Sequence, residues 1–361
     1  MAKTTLLITV IALAIFTVYI LVLGISPVKL VTLLRSISPM FYLLALILDT
    51  GYIILFSLSW FFLVRTLYPV KLSDIIKIVM IGWFGDMLIP AAFITGEATR
   101  IYLLKKTYNV DYSKAVALSI MHRLLSTVAF IAYVSAGTLL LMYWGSPLRA
   151  RLAEHAFFAL ALALVGLVIG SLLVFKEDMV RKGSMKAFNY LVKSFEKLKL
   201  EKYKRSILEA MKAYEEAIGL IRERYYGVIL CFMFMLIQWG LGVTIPYVFF
   251  RAVNYTMSYW ALAVAYPIYG LADNIPLGVP VNAGVLDAAM ISLFLIMGAP
   301  KEAALTVTLL TRSITVMYEG VLTGVITMLS APKMLGEINW RKIVNTLKGL
   351  SRGEYIKESQ V

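Results

Sequence analysis

The chain has 361 residues, of which 60% are hydrophobic and only 16% are charged, and its formal net charge is +14. A soluble domain carries about a quarter charged residues, so the composition predicts a polytopic membrane protein. The single cysteine, Cys231, excludes a disulfide framework, and the distant His122 and His155 have no metal-ligand spacing. We expect no metal and no cofactor. The positive charge is interpreted as cytoplasmic loops facing anionic lipid rather than as a nucleic-acid site.

Six apolar segments are long enough to cross a hydrocarbon core of about 30 Å, which takes about 20 residues. In chain order they are 5–24, 40–64, 115–143, 155–175, 226–250 and 303–330. Lysine and arginine concentrate around 65–77, after residue 99, in 176–226 and after residue 331. The positive-inside rule places these regions and both termini in the cytoplasm of a multi-pass protein of the cell membrane.

Two further stretches, 74–106 and 258–299, are apolar but interrupted by glycine and proline. The flanking charges put both ends of the first stretch in the cytoplasm. Span 226–250 runs outward from the basic loop and span 303–330 runs inward to the basic tail, so both ends of the second stretch lie outside. Each is therefore predicted to be a re-entrant hairpin. The expected fold is an all-α polytopic membrane protein, one membrane domain over 1–361, with about six full spans and two re-entrant helical hairpins. The hairpins belong to an inverted repeat, 40–143 followed by 226–330.

The two hairpins share a pattern of residues. "GWFGDMLIPAAFITGE" (82–97) and "GLADNIPLGVPVNAGVLD" (270–287) each contain Gly, Asp, Pro, Gly and an acid in that order. In the helices that follow, Ala115 matches Ala304, Ser119 matches Thr308 and Arg123 matches Arg312. Interrupted segments in matching positions predict a transporter with a site near the bilayer midplane, because unpaired backbone survives there only when it is buried or lines a wet cavity. The expected breaks are Pro90, Gly96, Pro276, Pro280 and Gly284.

Charged residues at membrane depth are the candidate site. Those in or beside the hairpins are Asp86, Glu97, Arg123, Asp273, Asp287 and Arg312. Each costs about 2.5–3.5 kcal/mol at the centre of an isolated helix. They are either structural ion pairs or the pathway of a charged substrate, with the four acids available for proton or ion coupling. Arg123 and Arg312 are predicted to bind a phosphate, since they lie too deep to reach the surface. Arg100 is either a third substrate-binding cation or, with Lys105 and Lys106, a cytoplasmic anchor.

Other features carry less weight. Asp49 is either a packing residue or a proton carrier, and His122 is more simply a hydrogen-bonded residue than a functional one. Residues 176–225 have apolar positions at helical spacing between lysines, which predicts a cytoplasmic amphipathic connector resting on the membrane. Residues 331–361 form a basic cytoplasmic tail.

"GEATRIYLLKK", the downstream "MHRLLS" and the second Pro/Gly-rich hairpin resemble the flippase-like membrane region of lysylphosphatidylglycerol synthases, a family that includes free-standing bacterial and archaeal membrane proteins. The resemblance covers nearly the whole chain. The second hairpin departs from the family pattern, with Asp287 where glutamate is usual and Asn282 and Ala283 where glycine is expected. The resemblance implies that the protein moves a lipid between leaflets.

The leading hypothesis is a flippase for an aminoacylated, glycosylated or polyprenyl-phosphate lipid with an anionic head group, and more simply a transporter than an enzyme. The alternative is a membrane glycosyltransferase acting on lipid-linked sugars. No Asp-x-Asp metal motif occurs in the chain, which counts against that alternative. A scaffold subunit of a cell-envelope complex would leave the repeated intramembrane charges unexplained.

Overall fold

The computed structural model describes residues 35–88, 94–143, 176–194, 204–273 and 280–335, together with isolated positions within 28–32 and 157–172. Regular structure in these residues is helical throughout. The α-helices are α1 Pro39–Arg65, α2 Leu72–Leu88, α3 Ile94–Tyr108, α4 Tyr112–Tyr143, α5 Glu177–Ser194, α6 Lys204–Glu223, α7 Tyr225–Ala252, α8 Tyr259–Asp273, α9 Val285–Ile296, α10 Lys301–Arg312 and α11 Glu319–Leu335. A π-helical segment, Ser313–Tyr318, joins α10 to α11.

Four long apolar helices in the described part of the chain are able to cross a membrane: Pro39–Arg65, Tyr112–Tyr143, Tyr225–Ala252 and Lys301–Ser330. They correspond to the predicted spans 40–64, 115–143, 226–250 and 303–330. The predicted span 5–24 and most of 155–175 lie outside the described residues. The chain is therefore a helical membrane protein, and four of its six predicted spans are found.

Helix α1 has the burial pattern of a lipid-embedded helix. It begins with Pro39 at its first turn and Ser38 as its N-cap, whose hydroxyl accepts from the amide of Met40 at 3.4 Å. Farther along, polar Asp49 and Ser57 are fully buried while apolar Ile47 is 60% exposed. In water this arrangement would be inverted, so the exposed face of α1 is expected to contact lipid.

Helices α1 and α7 pack antiparallel along their length. Tyr42 contacts Phe249 at one end, and Gly227 contacts Thr66 at the other. A β-carbon on Gly227 would also lie 3.0 Å from the carbonyl oxygen of Phe62. Glycine at this position therefore lets the two backbones approach closely, as is usual where membrane helices cross.

The first predicted hairpin, 74–106, corresponds to α2 and α3, which pack antiparallel. At the open end, the Tyr108 hydroxyl donates to Asp74 Oδ2 at 2.7 Å and accepts from the Lys71 amide at 3.0 Å. Burial raises the pKa of the Tyr108 phenol, so it stays protonated and keeps donating at neutral pH. At the closed end, Gly82 and Gly96 face each other at the crossing of the two helices.

The second predicted hairpin, 258–299, corresponds to α8 and α9 with a short 3₁₀ turn, Pro280–Asn282, before α9. The Tyr255 hydroxyl donates to the Gly298 carbonyl at 2.8 Å and so joins the two ends of this unit. Residues 274–279 lie outside the description.

Buried apolar side chains form two clusters, one around each hairpin. The first includes Ile75, Leu103 and Leu118, and the second includes Phe249 and Ile291. The indole of Trp239 in α7 packs against both clusters. The region between the hairpins is therefore where the two halves of the molecule meet.

Candidate functional site

A cavity of about 250 Å³ lies between the two hairpins. The residues that line it come from eight of the described α-helices, the 3₁₀ turn and the π segment. They include Tyr52, Trp83, Asp86, Arg100, Arg123, Gln238, Trp239, Tyr266, Tyr269, Val281, Asn282, Thr311, Arg312, Thr315 and Glu319. The lining thus contains three guanidinium groups and two carboxyl groups. Such a density of charge among membrane helices is typical of a functional site.

Glu97 of the first hairpin joins two of the arginines. Its Oε1 accepts from Arg123 Nε at 2.9 Å and lies 3.1 Å from Arg100 Nη2. Its Oε2 accepts from the Ser119 hydroxyl at 2.5 Å. The predicted ion pair between hairpin and long helix therefore exists, and one carboxylate faces two cations.

Arg100 reaches into the protein rather than toward the cytoplasmic surface. It is 2% exposed, and its guanidinium carbon lies 5.4 Å from the ring centroids of both Phe56 and Trp60. Aromatic faces attract a cation most strongly where water is excluded. The structure therefore favours the interpretation of Arg100 as a third cation of the site, whereas Lys106 on the same helix is exposed.

Arg312 has the corresponding contacts in the second half. Its Nε donates to Asp287 Oδ1 at 2.8 Å, its Nη2 donates to the Val281 carbonyl at 2.6 Å, and its Nη1 lies 3.4 Å from the Tyr269 hydroxyl. Asp287 Oδ2 also accepts from the Gly284 amide at 2.7 Å, which caps the start of α9. Arg312 thus fixes the turn, the helix start and the carboxylate together.

The turn held by Arg312 has unusual backbone geometry. Val281, Asn282 and Gly284 have φ values of 50°, 49° and 82°. Glycine and, less readily, asparagine accept this left-handed region, but a β-branched valine is strained there. The expectation that glycine belongs near position 282 therefore has a physical basis, and here Asn282 takes the same conformation.

The two arginines occupy equivalent positions. Each is the twelfth residue of its helix, Tyr112–Tyr143 for Arg123 and Lys301–Arg312 for Arg312. Each donates through Nε to a carboxylate, 26 residues earlier for Arg123 and 25 residues earlier for Arg312. The correspondence between Arg123 and Arg312 that the sequence suggested is matched by the geometry of their contacts.

Asp86 has a structural contact as well as a place in the lining. Its Oδ1 accepts from the Gly96 amide at 2.6 Å, in the first turn of α3. Gly96 was predicted to interrupt the helix at the tip of the hairpin, but it lies inside α3. Its lack of a side chain makes room for the Asp86 carboxyl and the Gly82 carbonyl. Asp86 therefore stabilises the start of α3, where the helix dipole favours an anion.

The remaining predicted site residues are placed as follows. Gly284 caps α9 with positive φ, and the backbone of Pro280 begins the 3₁₀ turn. Pro90, Pro276 and the side chain of Asp273 lie outside the described residues.

His122 is buried, its Nε2 lies 2.9 Å from the Ser59 hydroxyl, and its ring packs on Trp60. It therefore has the structural role expected of it.

Sequence reasoning missed one ionisable member of the site, Glu319. Its Oε2 accepts from Trp83 Nε1 at 2.7 Å, which connects the first hairpin to the last long helix. An acid inside the predicted span 303–330 was a sufficient signal, since acids at membrane depth are rare. Gln238 and the tyrosines of α1 and α8 gave no comparable signal, because such residues are common in ordinary membrane helices.

Residues 8–322 match the model of a known family, which is described as "Lysylphosphatidylglycerol synthase TM region". The chain belongs to this family. The matched region contains both hairpins and all three cavity arginines. Within the described residues, no group of three His, Cys, Asp or Glu side chains is placed to hold a metal ion.

Similar proteins come from archaea. A UPF0104 membrane protein of Pyrococcus horikoshii is 23% identical over 80% of this chain and 86% of its own length. A UPF0104 membrane protein of Methanothermobacter thermautotrophicus is 24% identical over 81% of this chain and 86% of its own length. One of Methanocaldococcus jannaschii is 23% identical over 83% of this chain and 88% of its own length. No solved structure matches the chain significantly. The family name indicates a membrane function related to lipid.

Proposed function

We propose that this protein is a flippase that moves a phosphate-bearing lipid with an anionic head group between the leaflets of the cell membrane. The observation that carries the proposal is the convergence of Arg100, Arg123 and Arg312 on one cavity among membrane helices. Guanidinium groups bind phosphate oxygens through paired N–H donors. The lipid-related family is consistent with this substrate class.

The head group enters the cavity while the acyl or prenyl chains stay in the bilayer. Arg123 is the more accessible arginine, with 46% of its side chain exposed. A phosphate near it competes with Glu97, which keeps Arg100 and Ser119 as partners when Arg123 turns away. The exchange therefore leaves no carboxylate unpaired.

Alternating access follows from the proposed inverted repeat. The two hairpins are taken to be re-entrant, one from each side, with their closed ends near the cavity. Rocking of one repeat against the other around the shared cavity would expose the head group to each leaflet in turn, as in other inverted-repeat transporters.

The test is translocation of a labelled short-chain phosphatidylglycerol in phosphatidylcholine vesicles that contain the purified protein. The wild type should accelerate equilibration between leaflets, and Arg123→Ala and Arg312→Ala should lose this activity by at least about tenfold, the cost of about 1.4 kcal/mol of lost stabilisation.

The matched control is Arg251→Ala, at the end of α7. Within the described part of the protein its side chain makes one hydrogen bond, from Nη1 to the nearby Thr256 hydroxyl at 3.4 Å. It should retain wild-type activity. Full activity in folded Arg123→Ala and Arg312→Ala would mean that the head group binds elsewhere.

A further inference from the structure

Asp49 is an unusual buried acid. It lies in the middle of α1 and is 0% exposed. No hydrogen-bond donor contacts either of its carboxyl oxygens in the described part of the protein. Glu97 and Asp287, by contrast, each contact an arginine. An ionised carboxylate in such a place is far more costly than a neutral one, so the arrangement around Asp49 suits a carboxyl group that carries a proton.

Glu319 is the acid next to Asp49. The Tyr318 hydroxyl of the π segment lies 2.5 Å from Thr50 Oγ1, so the residue before Glu319 contacts the residue after Asp49, and the two carboxyl groups interact. Glu319 is 5% exposed, lines the cavity and accepts from Trp83. Two carboxyl groups this close in a low-dielectric site do not ionise together, and the pair holds one proton. Asp49 lies behind the lining, so Glu319 is its route to the cavity.

The groups that face this pair are mostly uncharged. They are Tyr52 of α1, Trp83 of α2, Gln238 of α7 and Tyr266 of α8. The charged groups nearest to the pair within the same cavity lining are Asp86, Arg100, Arg123 and Arg312. Phenol and amide groups stabilise a carboxylate less than a guanidinium does, so this environment leaves the proton on the pair.

The last long helix connects the pair to the proposed phosphate site. Arg312 and Glu319 flank the π-helical segment Ser313–Tyr318, and both line the cavity. Interruptions of this kind inside α-helices are frequent at functional sites. Within this region the hydroxyls of Thr311 and Thr315 are buried without a partner in the described structure.

An anion at Arg312 and a negative charge on Glu319 repel each other across one small cavity. The head group therefore binds more readily when the Asp49–Glu319 pair is protonated. By linkage, the proton binds more tightly when the head group is present.

We propose that Asp49 and Glu319 form a proton-binding site that is occupied together with the anionic head group, so that lipid movement is coupled to a proton. The proposal rests on the proposed flippase function. The proton comes from water on one side, binds a carboxylate oxygen of the pair and leaves to water on the other side, with no other bond changed. The pair thus allows a proton gradient to drive a site that otherwise only equilibrates its substrate.

The first test needs no transport. Infrared spectra of the purified protein in lipid nanodiscs at pH 7 should contain the carbonyl stretch of a protonated carboxyl group. Asp49→Asn should remove this band, and Glu319→Gln should shift its frequency. Asp74→Asn is the control, because Asp74 lies at the surface end of α2 beside Lys77. A wild type without the band, or a band unchanged in both variants, overturns the proposal.

The second test uses vesicles with an entrapped pH-sensitive dye and labelled phosphatidylglycerol as the probe. In the wild type an imposed pH gradient should change the equilibrium distribution of the probe by about tenfold per pH unit for one proton per lipid. In Asp49→Asn and Glu319→Gln the distribution should not respond to the gradient, whereas Asp74→Asn should behave as the wild type. If Glu319→Gln folds and Asp49→Asn does not, the response of the Glu319→Gln protein to the pH gradient decides whether the proposal holds.

The two tests separate the two proposals. A wild type that moves phosphatidylglycerol without any response to pH refutes the coupling and leaves the flippase intact. A response to a sodium gradient at constant pH also refutes it. If the infrared band behaves as expected but neither phosphatidylglycerol nor a short polyprenyl phosphate is moved, the proton site stands, while its coupling to lipid and the flippase function fail together.

Discussion

Arg312 is more completely bound than Arg123. It contacts a carboxylate, a backbone carbonyl and a phenol, and only 12% of its side chain is exposed, against 46% for Arg123. Asp287 depends on Arg312 as its charged partner, whereas Glu97 also contacts Arg100. The two matching ion pairs therefore differ in what their loss would leave behind.

Arg312→Ala is predicted to lower the free energy of unfolding by about 3–5 kcal/mol, because it leaves the Asp287 carboxylate buried without its cation. Arg123→Ala should cost clearly less, since Glu97 retains Arg100 and Ser119. Denaturation of the purified variants in mild detergent measures the loss in the free energy of unfolding for each.

The double variant Arg312→Ala with Asp287→Asn should recover part of the loss, because it removes the unpaired charge. Equal losses in Arg312→Ala and Arg123→Ala, or no recovery in the double variant, would contradict this account of the pairs.

The charged residues of the site were predictable where an arginine or an acid interrupts an apolar segment. Four of them were found in this way: Arg123, Arg312, Glu97 and Asp287. Their pairing agrees with the interpretation as structural ion pairs, which was the alternative to a pathway for a charged substrate. The direction of Arg100 was not predictable, because its position near the end of a hairpin fits both an inward and a surface side chain. Its burial between two aromatic rings depends on α1, which is distant in the sequence.

The arms of the first hairpin touch backbone to backbone where they cross. A β-carbon on Gly96 would lie 2.7 Å from the Gly82 carbonyl oxygen and would overlap the Asp86 carboxyl. Neither backbone atom is able to move without shifting a whole helix. This contact sets the separation of α2 and α3.

Gly96→Ala is predicted to destabilise the protein by about 1–3 kcal/mol, the usual cost of overpacking a close contact. Gly183→Ala in α5 is the matched control, because among the described residues no atom outside the backbone of α5 lies within 4 Å of the added methyl group. In that helix alanine should instead stabilise by about 0.5–1 kcal/mol.

Thermal denaturation in detergent measures both glycine variants. A Gly96→Ala protein as stable as the Gly183→Ala protein would mean that the crossing is looser than described.

At the scale of elements, hydropathy predicted six spans, and the bounds of four of them agree closely with long helices in the described part of the chain. Each interrupted stretch contains two separate antiparallel helices, while their re-entrant sidedness stays a prediction. Gly96 was assigned to the break because glycine usually ends helices, but here its role is close packing. The π segment at Ser313–Tyr318 was not predictable, because its residues are as apolar as those of a regular α-helix.

The whole molecule brings together residues from both halves of the chain around one cavity. The proposed topology gives the two hairpins opposite sidedness, and the chain is well suited to a direct test. Its single cysteine, Cys231, is buried. Cysteines introduced at exposed positions should therefore be the sites of labelling.

Lys71→Cys and Thr107→Cys, at the two ends of the first hairpin, should react with a membrane-impermeant maleimide only from the cytoplasmic side. Ser258→Cys and Lys301→Cys, at the ends of the second, should react only from outside. All four native residues are exposed. Labelling of cells and of inverted vesicles measures the side.

The unmodified protein is the control and should remain unlabelled. If Lys71→Cys and Thr107→Cys react from opposite sides, the first hairpin crosses the membrane and the inverted topology is wrong.

At this scale the order of the helices along the chain could be predicted from the sequence. Which of them pack together around the cavity could not be predicted. Charge bias and hydropathy describe each segment separately. The cavity depends on which helices pack together, and Glu319 belongs to it because α11 packs against α2 through Trp83. Nothing in the local sequence of either helix encodes that contact.

The Trp83–Glu319 bond joins residues 236 positions apart, and the same helix pair packs Phe84 against Gly324. During synthesis, α2 therefore leaves the insertion machinery long before its partner exists. Until α11 arrives, the first hairpin lacks one of its packing surfaces and must be shielded by lipid, by an insertase or by a chaperone. Chains that stop before residue 319 should accordingly be recognised by membrane quality control and degraded, even though they contain the complete first hairpin.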